Sequence, residues 1–165
     1  MKTNKILTRE NQTATEITDS VEKIFKGLKL EYSEVYYLDY EVDEDTGMIN
    51  REKKVEHYTK GQIERNMRAL KNAFYVAKGA AAPSEIISFR KRYRIPASTF
   101  SIVLGFSKNT ISNIEKDGIT SLTTGRLIKM CLNNIDIVYQ YIQLCDAIDS
   151  DKKDELSKRL LGKGV

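Results

Sequence analysis

Residues 95–118, IPASTFSIVLGFSKNTISNIEKDG, constrain the fold more than any other stretch of the chain. Gly105 separates two short segments of helical periodicity. Before it, Phe100, Val103 and Leu104 mark one helix face, opened by Pro96. After it, Ile111 and Ile114 mark a second, with Ser107 placed to cap it. Glycine reverses the chain without a Cβ clash. Phe106 supplies an apolar plug behind the turn, and Ser101 is small where the second helix must cross the first. This is the pattern of a helix-turn-helix. Lys108, Asn109, Thr110, Ser112 and Asn113 are left pointing outward, either as a solvated helix face or toward DNA. Groove reading asks for such a set, lysine for guanine acceptors and asparagine for adenine.

Charge is distributed to match. The 165 residues carry a net charge of +4. Residues 1–82 hold 14 basic and 14 acidic side chains, and residues 83–165 hold 13 and 9. Within 84–129 eight basic groups face three acidic ones. Such a segment suits a polyanion, though a solvated face would also account for it. No apolar run reaches the roughly 18–20 residues of a membrane span. The N-terminus lacks the apolar stretch of a signal peptide. Cys131 and Cys145 form no CxxC pair and fit a reducing, cytoplasmic setting. His57 is the only histidine. No metal or cofactor is expected, and no nucleophile with a nearby base points to catalysis.

Along the chain, residues 1–14 read as a mobile tail. Ile17, Val21, Ile24, Phe25 and Leu28 are spaced for one helix face over 15–28. In 34–43, Tyr36, Leu38, Tyr40 and Val42 alternate with Tyr37, Asp39 and Glu41. That predicts a strand with the first set inward. A turn at Gly47 and a strand over 48–57 complete a hairpin. Thr59 and Gln62 form a capping box. The helix behind it turns Ile63, Met67, Leu70, Phe74 and Ala77 to one side. Gly79-Ala80-Ala81-Ala82-Pro83 breaks that helix and reads as a flexible joint between modules. Short helices follow, the last a weak one over 152–161. The expected domains are a tail (1–14), an N-terminal module (15–82), a DNA-binding domain (83–148) and a C-terminal helix or tail (149–165).

The stretches PSEIISFRKRYRIP, STFSIVLGFSKNTISNIEKDG and SLTTGRLIKM resemble the lambda-repressor-like (Xre) helix-turn-helix domains over about 84–132. Within these they are most similar to the DNA-binding module of MqsA-type antitoxins. YYLDYEVDEDTG is similar to the N-terminal segment of related antitoxin-like regulators. The resemblance implies an α+β, mostly α fold. Its C-terminal part would be a five-helix lambda-repressor-like domain, preceded by a small module with helices and a β-hairpin. Three departures stand out. The zinc-binding CxxC pairs of those antitoxins are missing, Ala97 replaces a phosphate-contacting glutamine, and one extra residue lies between Glu115 and Gly118.

The resemblance also implies an internal ion pair between Arg90 and Glu115. Lys108, Asn109, Ser112 and Asn113 are then the base-reading candidates. Arg92, Arg94, Ser107, Thr110 and Lys116 are the phosphate-binding ones. The expected function is an antitoxin-like transcriptional regulator that represses its own operon as a homodimer on double-stranded DNA. The alternative is a protein-binding antitoxin whose N-terminal half neutralises a toxin, with DNA binding secondary. The acidic run 39–45 would face a basic partner.

Overall fold

The computed structural model describes residues 3–8 and 10–162, which fall into two units divided between Leu70 and Lys71. Much of the segment expected to be a tail is paired backbone. β1 (Lys5–Leu7) and β2 (Thr13–Thr15) form an antiparallel hairpin. Thr8 closes its turn, donating its N–H to the Gln12 carbonyl at 2.8 Å and accepting the Gln12 N–H on its hydroxyl. Met1, Lys2 and Arg9 of that segment lie outside the described residues.

Residues 15–28 are not a helix. β3 (Ile17–Phe25) runs into β4 (Leu28–Val42) through Lys26 and Gly27, with φ of +49° and +80°. Positive φ at both central residues is what a two-residue type I′ hairpin requires. The pairing runs without a shift from Phe25–Leu28 to Ile17–Tyr36. Ile17, Val21 and Phe25 are four apart, a spacing shared by a helix face and by every second residue of one strand face. β-Branched residues and the Lys-Gly turn settle it for the strand. Ile24, which the helical reading turned inward, is 80% exposed on the other face.

β5 (Ile49–His57) pairs with the far half of β4, with a bulge between Tyr40 and Glu41. The sheet order is β3-β4-β5. The inward face of β4 is the reverse of the expected one. Val35 and Tyr37 are buried, while Leu38, Tyr40 and Val42 are exposed. The strand begins six residues earlier than its alternation suggested, so Leu30, Tyr32 and Glu34 set the first buried face.

α1 (Lys60–Ala77) opens with the reciprocal capping box. The Thr59 N–H donates to Gln62 Oε1, and the Gln62 N–H donates to the Thr59 hydroxyl. Its buried face is also unexpected. Gln62, Asn66 and Leu70 turn inward, leaving Ile63 and Met67 exposed. The reason is a backbone requirement. Val35 lies where β4 has β3 on one side and no β5 residue opposite. Asn66 substitutes for the missing strand, accepting the Val35 N–H at 2.9 Å and donating to its carbonyl at 3.0 Å. A buried peptide group left without partners would cost more than an exposed methionine.

The second unit overturns the expectation of a five-helix lambda-repressor-like domain. It holds the end of α1 and six further helices. These are α2 (Pro83–Tyr93), α3 (Ala97–Val103), α4 (Thr110–Asp117), α5 (Leu122–Asn133), α6 (Ile135–Leu144) and α7 (Ser150–Leu160). The N-terminal module is likewise a three-stranded sheet with a two-stranded hairpin, not helices with one hairpin. α7 is no appendage. Leu156 and Leu160 enter the core formed by Ile86, Phe100, Ile111, Ile114, Ile128, Val138 and Ile142. The four-residue leucine spacing in a strongly charged helix is enough to anchor one narrow stripe.

Gly79–Pro83 is likewise packed within the second unit. α1 ends in a Schellman motif, with Ala80 N–H to the Tyr75 carbonyl and Gly79 N–H to that of Val76. Ala80 and Ala81 are buried, and the Ala81 N–H donates to the Gly125 carbonyl at 3.0 Å. A Cβ on Gly125 would lie 2.4 Å from Ala80 Cβ and 2.9 Å from Ile119 Cγ2. Small residues that read as a joint are there because α5 passes directly against them.

Candidate nucleic-acid interface

The α3–α4 pair is built from its turn outward. α3 stops in a second Schellman motif, with Phe106 N–H to the Ser101 carbonyl and Gly105 N–H to that of Ile102. Gly105 holds φ +81°, which a residue with a Cβ adopts only with strain. Phe106 then packs half-buried against the core.

Ser101 does more than stay small. Wholly buried, it donates to the Ala97 carbonyl and accepts the Ile111 N–H, both at 2.9 Å. That N–H is one of the orphan donors of the first turn of α4. The capping role expected of Ser107 therefore belongs to Ser101. α4 begins at Thr110, later than expected, and Ser107 contributes its carbonyl to the Thr110 N–H at 3.0 Å.

Arg90 and Glu115 hold the other end of α4. Arg90 donates from Nε to Glu115 Oε1 at 2.5 Å and from Nη2 to Oε2 at 2.7 Å. Its third arm, Nη1, donates to the Ile95 carbonyl at 3.0 Å. The two side chains are 18% and 13% exposed, so the bidentate pair is largely shielded from water. One residue thus ties the end of α4 to α2 and to the α2–α3 corner.

With Ile111 and Ile114 inward, the outer face of α4 is fixed. Asn109, Ser112, Asn113 and Lys116 follow at i, i+3, i+4 and i+7, one stripe, and all are exposed. Lys108 and Ser107 are exposed just ahead of the helix, and Thr110 is half-buried. The Ser112 hydroxyl donates to the Asn109 carbonyl at 2.9 Å, which leaves its oxygen free to accept.

Arg92 and Arg94 are exposed at the end of α2. Arg92 lies over the Tyr93 ring, 5.4 Å from its centroid. Arg94 takes a left-handed conformation at φ +53°, and its carbonyl accepts from Arg159 Nη1 of α7 at 2.6 Å. Arg94 precedes Ile95, whose carbonyl takes Arg90 Nη1, and Lys116 follows Glu115 in the last turn of α4. Ala97 is the first residue of α3 and packs half-buried against the core.

Sequence reasoning missed three supports of this unit. Asn72 of α1 accepts the Ile119 N–H at 3.0 Å and lies where any Cβ on Gly118 would go. Glu85 closes a box on the Ala82 N–H and meets Lys129 at 2.5 Å. The Lys129 ammonium and the Ala82 N–H hold its carboxyl below the usual range. Arg126 donates twice to the Lys78 carbonyl. The capping-box spacing from Ala82 to Glu85 was the one available signal, masked because alanine has no capping side chain.

Among the described residues there is no cluster of three or more histidine, cysteine or carboxylate side chains able to hold a metal. Nor, among them, is any helix long and apolar enough to cross a membrane. Burial pushes the Cys131 thiol up to about 11, making it a core residue rather than a nucleophile. Compared with protein-family models, curated proteins and solved structures, the chain matches none. The geometry of the α3–α4 unit therefore carries the functional reading.

Proposed function

We propose that this protein is a sequence-specific double-stranded DNA-binding regulator, antitoxin-like and cytoplasmic, that acts on its own operon as a homodimer. The observation that carries this is the stripe on α4. Ser112, Asn113 and Lys116, with the cap residue Asn109 in line ahead of them, present amide, hydroxyl and ammonium ends on one face of a helix whose other face is fixed by Ile111, Ile114, Ser101 and Glu115. A rigid helix with exposed polar tips is what insertion into a major groove needs.

In this reading Lys108, Asn109, Ser112 and Asn113 contact base edges. Arg92, Arg94, Ser107, Thr110 and Lys116 contact phosphates. The test is selection of bound duplexes from a random pool, followed by band shifts at several salt concentrations. Asn113→Ala should weaken the selected site by about 1–3 kcal/mol while leaving random duplex unchanged. Arg92→Ala should weaken both alike and reduce the log–log salt slope by about 0.9. Absence of duplex binding at low salt refutes the reading.

One observation favours a second reading. In the first unit, Leu38, Tyr40, Val42, Met48 and Ile49 are all exposed beside the acidic turn at 43–45. An apolar patch rimmed by carboxylates suits a basic protein partner such as a toxin. Co-purification of a second chain with the first unit's patch intact, and its loss on Tyr40→Lys, would support that reading.

A further inference from the structure

The first unit ends in two sheet edges of very different character. β5 is blunted. Its own residues 51–53 lie unpaired between Asn50 and Lys54, where the register shifts opposite Tyr40 and Glu41, and Arg51, Glu52, Lys53, Lys54 and Glu56 crowd its nine residues. Bulges and dense charge are the usual devices that stop strand addition. β3 has neither device in full: it is nine residues long, its register is unbroken, and among the described residues no strand pairs with its outer side, the last outward N–H taken ahead of it being that of Glu16, which donates to the Asn4 carbonyl at 2.9 Å.

The direction of its free backbone groups follows from two facts. In a two-residue hairpin the residues flanking the turn, Phe25 and Leu28, exchange both ladder bonds. The odd-numbered residues of β3 then face β4, and Thr18, Ser20, Glu22 and Ile24 direct their N–H and C=O outward. Val35 agrees independently. It lies opposite Thr18 and gives both its backbone groups to Asn66, away from β3.

We propose that the outer edge of β3 docks a second copy of this chain, the two strands pairing antiparallel about a two-fold axis at Val21. This sequence is complementary to itself in that register. Asp19, which accepts from the Tyr36 hydroxyl of its own chain, falls opposite Lys23 of the second copy, whose ammonium also donates to its own Glu34; Ile17 falls opposite Phe25, Thr18 opposite Ile24, Ser20 opposite Glu22, and Val21 opposite Val21. All four outward-facing residues of each strand meet outward-facing residues, so the new ladder is complete. Moving the axis to Glu22 would set two glutamates directly opposite, and moving it to Ser20 would set Asp19 against Val21. Like charges opposite each other, or a charge against an apolar residue, disfavour both. Glu22 is already balanced by Lys29 of its own chain at 2.5 Å, so the chosen register adds no unpaired charge. The result is one six-stranded antiparallel sheet, β5-β4-β3 joined to its copy.

The interface rests on the homodimer proposed above and is independent of DNA. Light scattering of the full chain at tens of micromolar should give the mass of two 18.9 kDa chains. A single-chain mass overturns both the homodimer and this edge. Val21→Cys then tests the register. The two Val21 Cα atoms would be about 4.5 Å apart, as in a non-hydrogen-bonded pair, within disulfide reach. Mild oxidation should convert Val21→Cys to a covalent dimer. Thr18→Cys, placed opposite Ile24 and far from its own copy, should stay monomeric on a non-reducing gel, as should the wild type. Glu22→Pro removes an outward N–H and should yield monomer with an unchanged circular dichroism spectrum. A dimer in which Val21→Cys fails to cross-link, or which survives Glu22→Pro, overturns the β3 edge and leaves the homodimer standing. A cross-linked dimer that binds no duplex refutes the DNA reading alone.

Discussion

The two units bury different kinds of side chain. The second is filled with isoleucine, phenylalanine, valine and leucine, and its buried polar side chains among the described residues are two serines, Ser101, which accepts the Ile111 N–H at the start of α4, and Ser157, which accepts from Gln143 Nε2. The first has a thin apolar set (Leu30, Tyr32, Val35, Tyr37 and Leu70) beside buried Glu34, Gln62 and Asn66. One unit is held mainly by non-directional packing, the other by a few directional bonds. Packing loss is graded by volume, whereas a broken directional bond strands its partner. The units should therefore fail differently.

The largest effect should come from the second core. Ile111→Ala empties a wholly buried site and should cost about 4 kcal/mol. Hydrogen exchange should show lost protection across α2–α6. Next is Asn66→Leu, which gains apolar surface yet strands the Val35 N–H and C=O. It should cost about 3 kcal/mol, with exchange accelerated at Val35. A neutral result would mean that packing, not pairing, holds the first unit. Arg90→Ala should cost about 2 kcal/mol by leaving Glu115 shielded and unpaired. Duplex affinity should fall with it because the α4 end is no longer fixed.

The smallest effect is acid-dependent. Glu34 Oε1 accepts from Lys23 at 2.6 Å and from the Tyr32 hydroxyl at 2.5 Å. Burial alone would raise its carboxyl. The bonds from Lys23 and Tyr32 outweigh that and leave it below the usual value. Hydrogen bonding to Glu34 raises the Lys23 ammonium in turn. A lowered carboxyl stabilises above its unfolded value of about 4.3 and loses that contribution as pH falls through the folded one. Glu34→Gln should flatten the acid side of the first unit's melting curve. An unchanged slope would remove the cluster from the account of its stability.

What could be read from the sequence divides along the same line. The Gly105 turn, the Phe106 plug and the Thr59–Gln62 box are local, and neighbouring residues determine them. The inward face of α1 is not local. Asn66 is buried because Val35, 31 residues away, needs a partner there. Residues 15–28 misled because a four-residue apolar spacing serves helix and strand equally. Gly79–Pro83 misled because nothing nearby reports that Gly125 will press against it. At the candidate interface, the outward polar set followed from the two isoleucines. The transfer of the cap from Ser107 to Ser101 did not, since it depends on how closely α3 and α4 cross.

The contact between Ala80 and Gly125 leaves room for a single methyl group between two stretches of backbone. The two positions therefore behave as a steric see-saw. Enlarging residue 125 to alanine should be severe alone and eased in part when residue 80 becomes glycine, which removes the 2.4 Å contact and leaves the 2.9 Å approach to Ile119 Cγ2. Neither substitution's cost predicts that of the pair. In a deep mutational scan this would register as strong positive epistasis between sites 45 residues apart. In redesign of this scaffold, 80 and 125 should be varied as one site with a shared volume.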